Sequence, residues 1–220
     1  MTQFSRVNPS PRYRELLNLY RTMHQEGESF MNLPAEKTFP GYNILREAPK
    51  IKRLIQETGS ETILDYGSGK GKQYQTSPFE LNTKEQWPNV IEYWDISEVR
   101  CYDPAYAPFN QLPDEIFDGV VSTDVLEHCP EEDIPWILAE IFSRARKFVF
   151  ANIACYAASK HLPNGENAHC TIQTQAWWEA RIHDAAQAYP SIRWDVWLQW
   201  FDPQKPEQSR EALLSSQTTR

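Results

Sequence analysis

The chain has 220 residues, of which 40% are hydrophobic and 24% are charged, and its formal net charge is −8. This length predicts one structural domain overall, and this composition excludes a wholly disordered chain. The acidic excess argues against a nucleic acid as partner, because phosphate groups are repelled by a negative surface. No apolar run approaches the roughly 18 residues of a membrane-spanning helix, so no membrane association is expected.

The N-terminal residues and the cysteines predict the compartment. The first ten residues contain no apolar stretch, and Arg6 is their only charged side chain, which argues against a secretory signal. The cysteines form no C-x-x-C pair, so their spacing indicates neither a zinc ribbon nor a redox motif. We therefore expect a cytoplasmic protein with reduced thiols. The four cysteines are Cys101, Cys129, Cys155 and Cys170.

Two helices are predicted at the start of the chain. The first begins at Ser10, a capping residue that is followed by proline, and ends at Gly27. The second runs from about residue 42 to residue 58, and Gly59 is its predicted C-terminal cap. Residues 1–60 are thus expected to form a helical cover, packed on a core of residues 61–220.

Strands and helices alternate in the rest of the chain. This alternation predicts an α/β fold with a Rossmann-like, open and mostly parallel sheet that carries helices on both faces. Only 15 positions separate Asp103 from Asp118, which leaves a shortened third-strand region. Ligands of such sheets bind beyond the carboxyl ends of the strands. The predicted strands are 62–65, 99–103, 117–123, 148–153 and 192–201, and the predicted helices begin near 131 and span 174–189.

The strongest local signal is the run Asp65-Tyr66-Gly67-Ser68-Gly69-Lys70-Gly71, which directly follows the first predicted strand. Glycines at alternate positions allow a tight turn and a close approach of the backbone to a ligand. The spacing matches neither the G-x-x-x-x-G-K-[ST] phosphate loop nor the G-x-G-x-x-G dinucleotide fingerprint. The alternative is a glycine-rich connection without a ligand.

At this run the chain resembles the class I S-adenosylmethionine-dependent methyltransferases, whose first motif is an acidic residue, any residue and then G-x-G-x-G. The resemblance continues at Asp103, which ends the second predicted strand, and in the Val-Leu-Glu-His run of residues 125–128. It implies S-adenosylmethionine as cofactor, with Asp103 accepting hydrogen bonds from the ribose; a turn-forming role before Pro104 is the alternative. The implied cofactor-binding residues are Asp65, Tyr66, Gly67, Ser68, Gly69, Gly71, Asp103, Pro104, Thr123, Asp124, Val125 and Leu126.

A second group of polar residues follows the third predicted strand. Asp124, Glu127 and His128 share one face if the turn is helical, and His169 comes later in the chain. A similar acid-x-x-Glu-His pattern binds metal in some O-methyltransferases, so Mg²⁺, Mn²⁺ or Zn²⁺ at these four residues stays an alternative. We expect no metal, because Asp124 lies where the cofactor is expected. The predicted catalytic residues are therefore His128, as general base or substrate-orienting group, and Glu127.

The resemblance implies methyl transfer to an oxygen or nitrogen, and we expect a small-molecule, sugar or lipid-linked acceptor. Residues 122–125 read Ser-Thr-Asp-Val and lack the N-P-P-Y type tetrad of DNA amino-methylating enzymes. The alternatives are a metal-assisted RNA 2′-O-methyltransferase and a catalytically inactive, cofactor-binding partner subunit. Residues 73–98 carry an insertion rich in Trp, Tyr and Pro, and its part from Trp87 to Trp94 could cover the active site or a homodimer contact. The polar segment 160–170 is predicted to be a substrate loop or a solvated connection.

Overall fold

A computed structural model describes residues 4–75, 78–81, 84–202 and 204–217. The helices in these ranges are α1 (Pro11–Glu26), α2 (Ile44–Thr58), α3 (Val90–Trp94), α4 (Ile134–Ser143) and α5 (Gln175–Ala186). The strands are β1 (Thr62–Tyr66), β2 (Phe79–Glu80), β3 (Gln86–Trp87), β4 (Glu98–Tyr102), β5 (Phe117–Thr123), β6 (Ala145–Ala154), β7 (Arg193–Trp200) and β8 (Arg210–Ser215). Short 3₁₀ turns include Lys72–Tyr74, Ala107–Phe109 and Leu126–His128.

A six-stranded sheet has the order β4-β1-β5-β6-β7-β8. Its first five strands run parallel, and β8 pairs antiparallel with β7. The predicted α/β class with an open, mostly parallel sheet is confirmed. Because β4 lies on one side of β1 and β5 on the other, the strand order reverses at β1. A crevice forms at such a reversal, beyond the carboxyl ends of the strands, and this is where open α/β sheets bind ligands.

Apolar side chains cover both faces of the sheet. Leu64 of β1 belongs to a buried cluster with α4 and α5, whereas the preceding Ile63 belongs to a second cluster with α2 and α3. Successive side chains of a strand point to opposite faces, so β1 contributes to both layers. The two predicted N-terminal helices take different places. Helix α2 packs on the sheet, while Leu16 and Met23 of α1 pack against Leu162 and Ala168.

The aromatic residues of the 73–98 insertion lie in the core of the α2 face. Tyr93 and Trp94 of α3 are buried, and Trp94 Nε1 donates a hydrogen bond to the carbonyl of Ala48 at 3.0 Å. Phe79 and Trp87 pack against the same cluster. In the described part of this insertion, these aromatic rings therefore stabilise the domain and are not available as a cover for a ligand.

Two local features differ from the sequence-based expectations. Helix α4 begins at Ile134, so the acidic residues 131–133 precede it and do not form its first turn. The carboxylate of Asp133 instead accepts hydrogen bonds from the backbone and side chain of Ser10 at 3.1 and 2.5 Å. Strand β8 is an additional element. Residues 103–116 contain a 3₁₀ turn and no strand, consistent with the shortened third-strand region.

All four cysteines are free thiols. None of the helices in the described ranges combines the length and the apolar character that crossing a membrane requires.

Candidate active site

A cavity of about 330 Å³ lies beyond the carboxyl ends of β1, β4 and β5, at the reversal of strand order. Small-molecule sites have volumes of roughly 300–1,000 Å³. The base of the cavity is formed by residues at and just after the ends of these strands, namely Asp65, Gly67, Ser68, Gly69, Asp103, Pro104, Ala105, Thr123, Asp124, Val125, His128 and Cys129. Helix α1 and residues 33–43 form the opposite wall, and Lys160 contributes from the segment 160–170.

The glycine-rich loop has a conformation that depends on glycine. Gly67, Gly69 and Gly71 have φ angles of 90°, 60° and 64°, in the left-handed region that L-residues with side chains rarely adopt. A Cβ atom on Gly67 would lie 2.2 Å from Cγ2 of Val125, and one on Gly69 would lie 2.4 Å from the carbonyl oxygen of Phe39. The glycines thus allow the loop to pack closely against its neighbours.

The N–H groups of this loop are already used within the chain. All five N–H groups of residues 67–71 donate to protein acceptors. Two of them share the carbonyl of Tyr102, and the N–H of Gly69 donates to the carboxylate of Asp103 at 3.0 Å. The expectation that these groups approach a ligand is therefore not met in this conformation. The side chains of Asp65, Ser68 and Asp103 are polar groups of this region on the cavity wall.

Asp65 is a buried carboxylate on the cavity wall. Its Oδ2 accepts hydrogen bonds from Gln73 Nε2 at 3.1 Å and from the hydroxyl of Tyr74 at 2.9 Å. Its Oδ1 has no hydrogen-bond partner among the residues that the structure describes. Burial raises the pKa of Asp65 to about 7, since a carboxylate removed from water is disfavoured. One carboxyl oxygen is thus free to accept a hydrogen bond from a bound molecule.

Asp103 has the turn-forming role that the sequence offered as an alternative, and its carboxylate also contacts the glycine loop. Its Oδ1 accepts from the backbone N–H of Ala105 at 2.9 Å, which closes a turn, and its Oδ2 accepts from Gly69. Burial raises the pKa of Asp103 to about 6, and these backbone hydrogen bonds oppose the shift. Each carboxylate oxygen has two lone pairs, so both oxygens can accept one more hydrogen bond. Asp103 also lines the cavity.

Most of the cofactor-binding residues implied by the sequence lie on the cavity wall, but three do not. The side chain of Tyr66 does not line the cavity and points toward α4, where its hydroxyl donates to Glu140 at 2.6 Å. Leu126 is buried in the core with α4 and α5, and a Cβ on Gly71 would meet Phe109 and Cys101. Residues on the wall are Asp65, Gly67, Ser68, Gly69, Asp103, Pro104, Thr123, Asp124 and Val125.

Asp124 has a strained backbone at the end of β5. Its φ angle is 54°, a conformation that costs a non-glycine residue about 1–3 kcal/mol and often occurs at functional sites. Its Oδ1 accepts from Asn152 Nδ2 at 2.7 Å. Its Oδ2 accepts from Asn43 Nδ2 at 2.7 Å and from Arg46 Nη2 at 3.3 Å. These contacts hold the carboxylate in place at the cavity and give each of its oxygens at least one donor.

The two predicted catalytic residues occupy different positions. His128 lines the cavity, and its Nδ1 lies 2.9 Å from the carbonyl oxygen of Ala168 and 2.7 Å from the hydroxyl of Tyr20. Burial lowers the pKa of His128 to about 3, so its imidazole is neutral near pH 7. Glu127 is fully buried, and its Oε1 accepts from the N–H of Ala154 at 3.1 Å. Burial raises the pKa of Glu127 far above its usual value.

The opposite wall contains residues that sequence reasoning did not assign to the site. Tyr13, Leu16 and Tyr20 of α1 share the helical stripe that the periodicity identified, but the periodicity gives no information about what the stripe contacts. Phe39 and Asn43 belong to a segment without any motif. The only signal that pointed here was the polar segment 160–170, which does contribute Lys160.

Comparisons with known protein families, with curated proteins and with solved structures find no match to this chain. Its function is therefore argued from the geometry of the site.

Proposed function

We propose that this protein is an S-adenosylmethionine-dependent methyltransferase acting on an oxygen or nitrogen of a small-molecule, sugar or lipid-linked acceptor. One observation carries the proposal. The cavity at the reversal of strand order combines a closely packed glycine loop with two carboxylates, the buried Asp65 and the partly buried Asp103, that still have free acceptor positions. This combination suits a ligand with several hydrogen-bond donors.

S-Adenosylmethionine carries donors of two suitable kinds. The ammonium group of its methionyl end can donate to Oδ1 of Asp65, a buried oxygen that otherwise has no partner in the described structure. Its ribose hydroxyls can donate to the remaining lone pairs of Asp103, in the way that an acidic residue binds ribose in dinucleotide folds. A buried acceptor without a donor costs about 1–3 kcal/mol, so a ligand that supplies the donor gains this free energy on binding.

The opposite wall suggests the kind of acceptor. Leu16, Leu17 and Leu33 give it an apolar surface, and Tyr13 and Phe39 add aromatic rings. An acceptor with an apolar portion would lose water-exposed surface there, while its nucleophilic atom faces the methyl group. Methyl transfer from a sulfonium requires positioning of the two reactants more than covalent assistance from the protein. His128, held at its Nδ1 by Ala168 and Tyr20, can orient the acceptor.

Calorimetric titration of S-adenosylmethionine into matched variants tests the proposal. Asp65→Asn and Asp103→Asn each weaken one charge-assisted hydrogen bond, so we expect the affinity to fall by about 1–3 kcal/mol, roughly 5- to 150-fold. Asp118→Asn is the control, because Asp118 is a buried aspartate at the amino end of β5, bonded to the N–H of Glu61. This control should bind with wild-type affinity. Wild-type affinity in both cavity variants, or no binding to the wild type, contradicts the proposal.

A further inference from the structure

Lys160 is a cation on the cavity wall that lacks a counterion. Its side chain is partly buried, and its Nζ lies 5.2 Å from the centre of the Phe39 ring, which lines the same cavity. In the described part of the chain, the ammonium group makes no hydrogen bond and no ion pair. An aromatic ring attracts a cation but does not neutralise it, and an ammonium group carries three hydrogen-bond donors. Lys160 can therefore still donate to an anion in the cavity.

The backbone that carries Lys160 is held by the fold. The carbonyl of Lys160 accepts from the N–H of Ala168 at 3.1 Å, and the next residue, His161, forms a β-bridge with Asn167. Leu162 is fully buried in a cluster with α1, the helix that forms the opposite wall of the cavity. The segment that presents Lys160 is thus packed against the wall of the cavity.

The carboxylates around Lys160 already have other partners. The charges of Asp124 and Glu28 favour the ammonium form of Lys160, but neither carboxylate forms an ion pair with it. Asp124 pairs with Arg46 at 3.3 Å, and Glu28 accepts from the backbone N–H of Met31 at 2.6 Å. Burial lowers the pKa of Lys160, because a charge removed from water is disfavoured. An anion that accepts a hydrogen bond from Nζ would offset the cost of burying this charge.

The charged side chains of the cavity divide between its two sides. The three carboxylates, Asp65, Asp103 and Asp124, lie at the carboxyl ends of β1, β4 and β5. The two lysines of the described lining, Lys37 and Lys160, come from the segments 33–43 and 160–170. Opposite charges on a ligand and its site favour binding. The ammonium and sulfonium groups of S-adenosylmethionine suit the carboxylate side, which leaves the lysine side to the acceptor.

We propose that Lys160 binds an anionic group of the methyl acceptor, which makes the acceptor an acidic small molecule. The inference rests on the proposed function for the role of this ligand as acceptor, whereas binding of an anion at Lys160 does not depend on it. An ammonium group is a compact point charge without the planar fork of arginine, so a carboxylate and a phosphate ester both suit it. The apolar part of the acid would pack against Phe39 and the leucines of the opposite wall.

Titrations of benzoate and benzamide into the full chain without S-adenosylmethionine, followed by ligand-observed NMR, test the site. The two probes share a ring and a similar size, and only benzoate is an anion. The wild type should bind benzoate about 10- to 150-fold more tightly, the range for a hydrogen bond to a charged group. Lys160→Met keeps most of the aliphatic stem and should bind both probes with similar affinity.

Lys52→Met is the matched control. Lys52 is also a partly buried lysine against aromatic rings, since its Nζ lies 4.9 Å from the ring centre of Trp87 and 4.0 Å from that of Tyr93. It does not line the cavity, so this variant should keep the preference of the wild type for benzoate. Phenyl phosphate distinguishes the two acids: tighter binding than benzoate assigns a phosphate ester, and weaker binding assigns a carboxylic acid. In either case Lys160→Met should remove the advantage over benzamide.

Three results would overturn the inference. The first is that the wild type binds neither acid more tightly than benzamide, which includes the absence of any binding. The second is a preference retained in Lys160→Met, which would place the anion at another cation such as Lys37. The third is displacement of benzoate by S-adenosylmethionine, which would assign Lys160 to the carboxylate of the cofactor.

Two further measurements keep these results interpretable. Thermal unfolding shows whether Lys160→Met folds, and Lys160→Gln takes its place if it does not. Titration with S-adenosylmethionine is a separate experiment on the same proteins. If the wild type does not bind S-adenosylmethionine but binds benzoate through Lys160, the proposed function is contradicted and the anion site stands.

Discussion

Gly67 is the residue at which loop conformation and cavity packing depend on each other. A Cβ there would meet Val125 at 2.2 Å, whereas a Cβ on Gly59, which also has a positive φ, would meet no atom within 4 Å. We expect Gly59→Ala to cost about 1–2 kcal/mol of backbone strain. Gly67→Ala should cost a further ~1–3 kcal/mol, because Val125 must move. Urea unfolding measures both free energies, and equal values for the two variants would contradict the packing argument.

Asp65 should make the stability of the protein depend on pH. Its pKa is about 7 in the folded chain and 3.8 in the reference state, so the folded protein holds a proton that the unfolded chain has already lost. The contribution of Asp65 to the free energy of unfolding is then largest below pH 4. It falls as the pH rises to about 7, by at most about 1.4 kcal/mol per pH unit. Above pH 7 this contribution is constant.

The variant Asp65→Asn isolates this effect. It keeps an acceptor for Gln73 and Tyr74 and removes the titration, while Asp103 and Cys101, the neighbouring titratable groups, stay in both proteins. The melting temperature of the wild type minus that of the variant should decrease between pH 4 and pH 7. Parallel curves over this range would show that the carboxyl group of Asp65 titrates at its ordinary pKa.

At the scale of elements, Ser10 connects the starts of two helices. Its hydroxyl accepts from the N–H of Tyr13 at 3.0 Å and donates to Asp133, a buried carboxylate just before α4. Ser10→Ala therefore loses a helix cap, worth about 1 kcal/mol, and removes a donor from a buried acceptor, worth about 1–3 kcal/mol. Thr174→Ala is the matched control, because Thr174 caps α5 by accepting from Trp177 at 3.3 Å.

Chemical unfolding of the two cap variants measures this difference. Ser10→Ala should lose more stability than Thr174→Ala by at least about 1 kcal/mol. Since α1 forms a wall of the cavity, hydrogen exchange in α1 should also accelerate in Ser10→Ala and stay unchanged in Thr174→Ala. Equal stability of the two variants would mean that Asp133 finds another partner when the serine hydroxyl is removed.

The elements show which parts of the fold are encoded locally. The helix ends at Ser10, Gly27 and Gly59 are visible in the sequence because each depends on one residue type, and the structure has helix ends at all three. Strand β8 could not be predicted, since its sequence REALLS contains no β-branched or aromatic residue. It forms because it pairs with β7 and buries Leu214. Pairing with a distant strand leaves no local pattern.

At the scale of the whole molecule, half of the cavity was predictable. The alternation of strands and helices predicts a parallel sheet, and the ends of its strands bring together Asp65, Asp103 and Asp124, which are far apart in the sequence. The wall formed by α1 and residues 33–43 was not predictable from the sequence, because an amphipathic stripe does not specify the surface that it covers. The convergence of His169 with Glu127 and His128 likewise depends on how a loop of irregular structure folds back.

Calorimetric titration of the wild type with S-adenosylmethionine and, separately, with NAD⁺ tests the central claim most directly. Both molecules contain an adenosine with ribose hydroxyls, and they differ in the methionyl sulfonium and the second nucleotide. The spacing of the glycine loop and the free oxygen of Asp65 predict one site for S-adenosylmethionine and no heat of binding with NAD⁺. Binding of NAD⁺ without binding of S-adenosylmethionine would contradict the account.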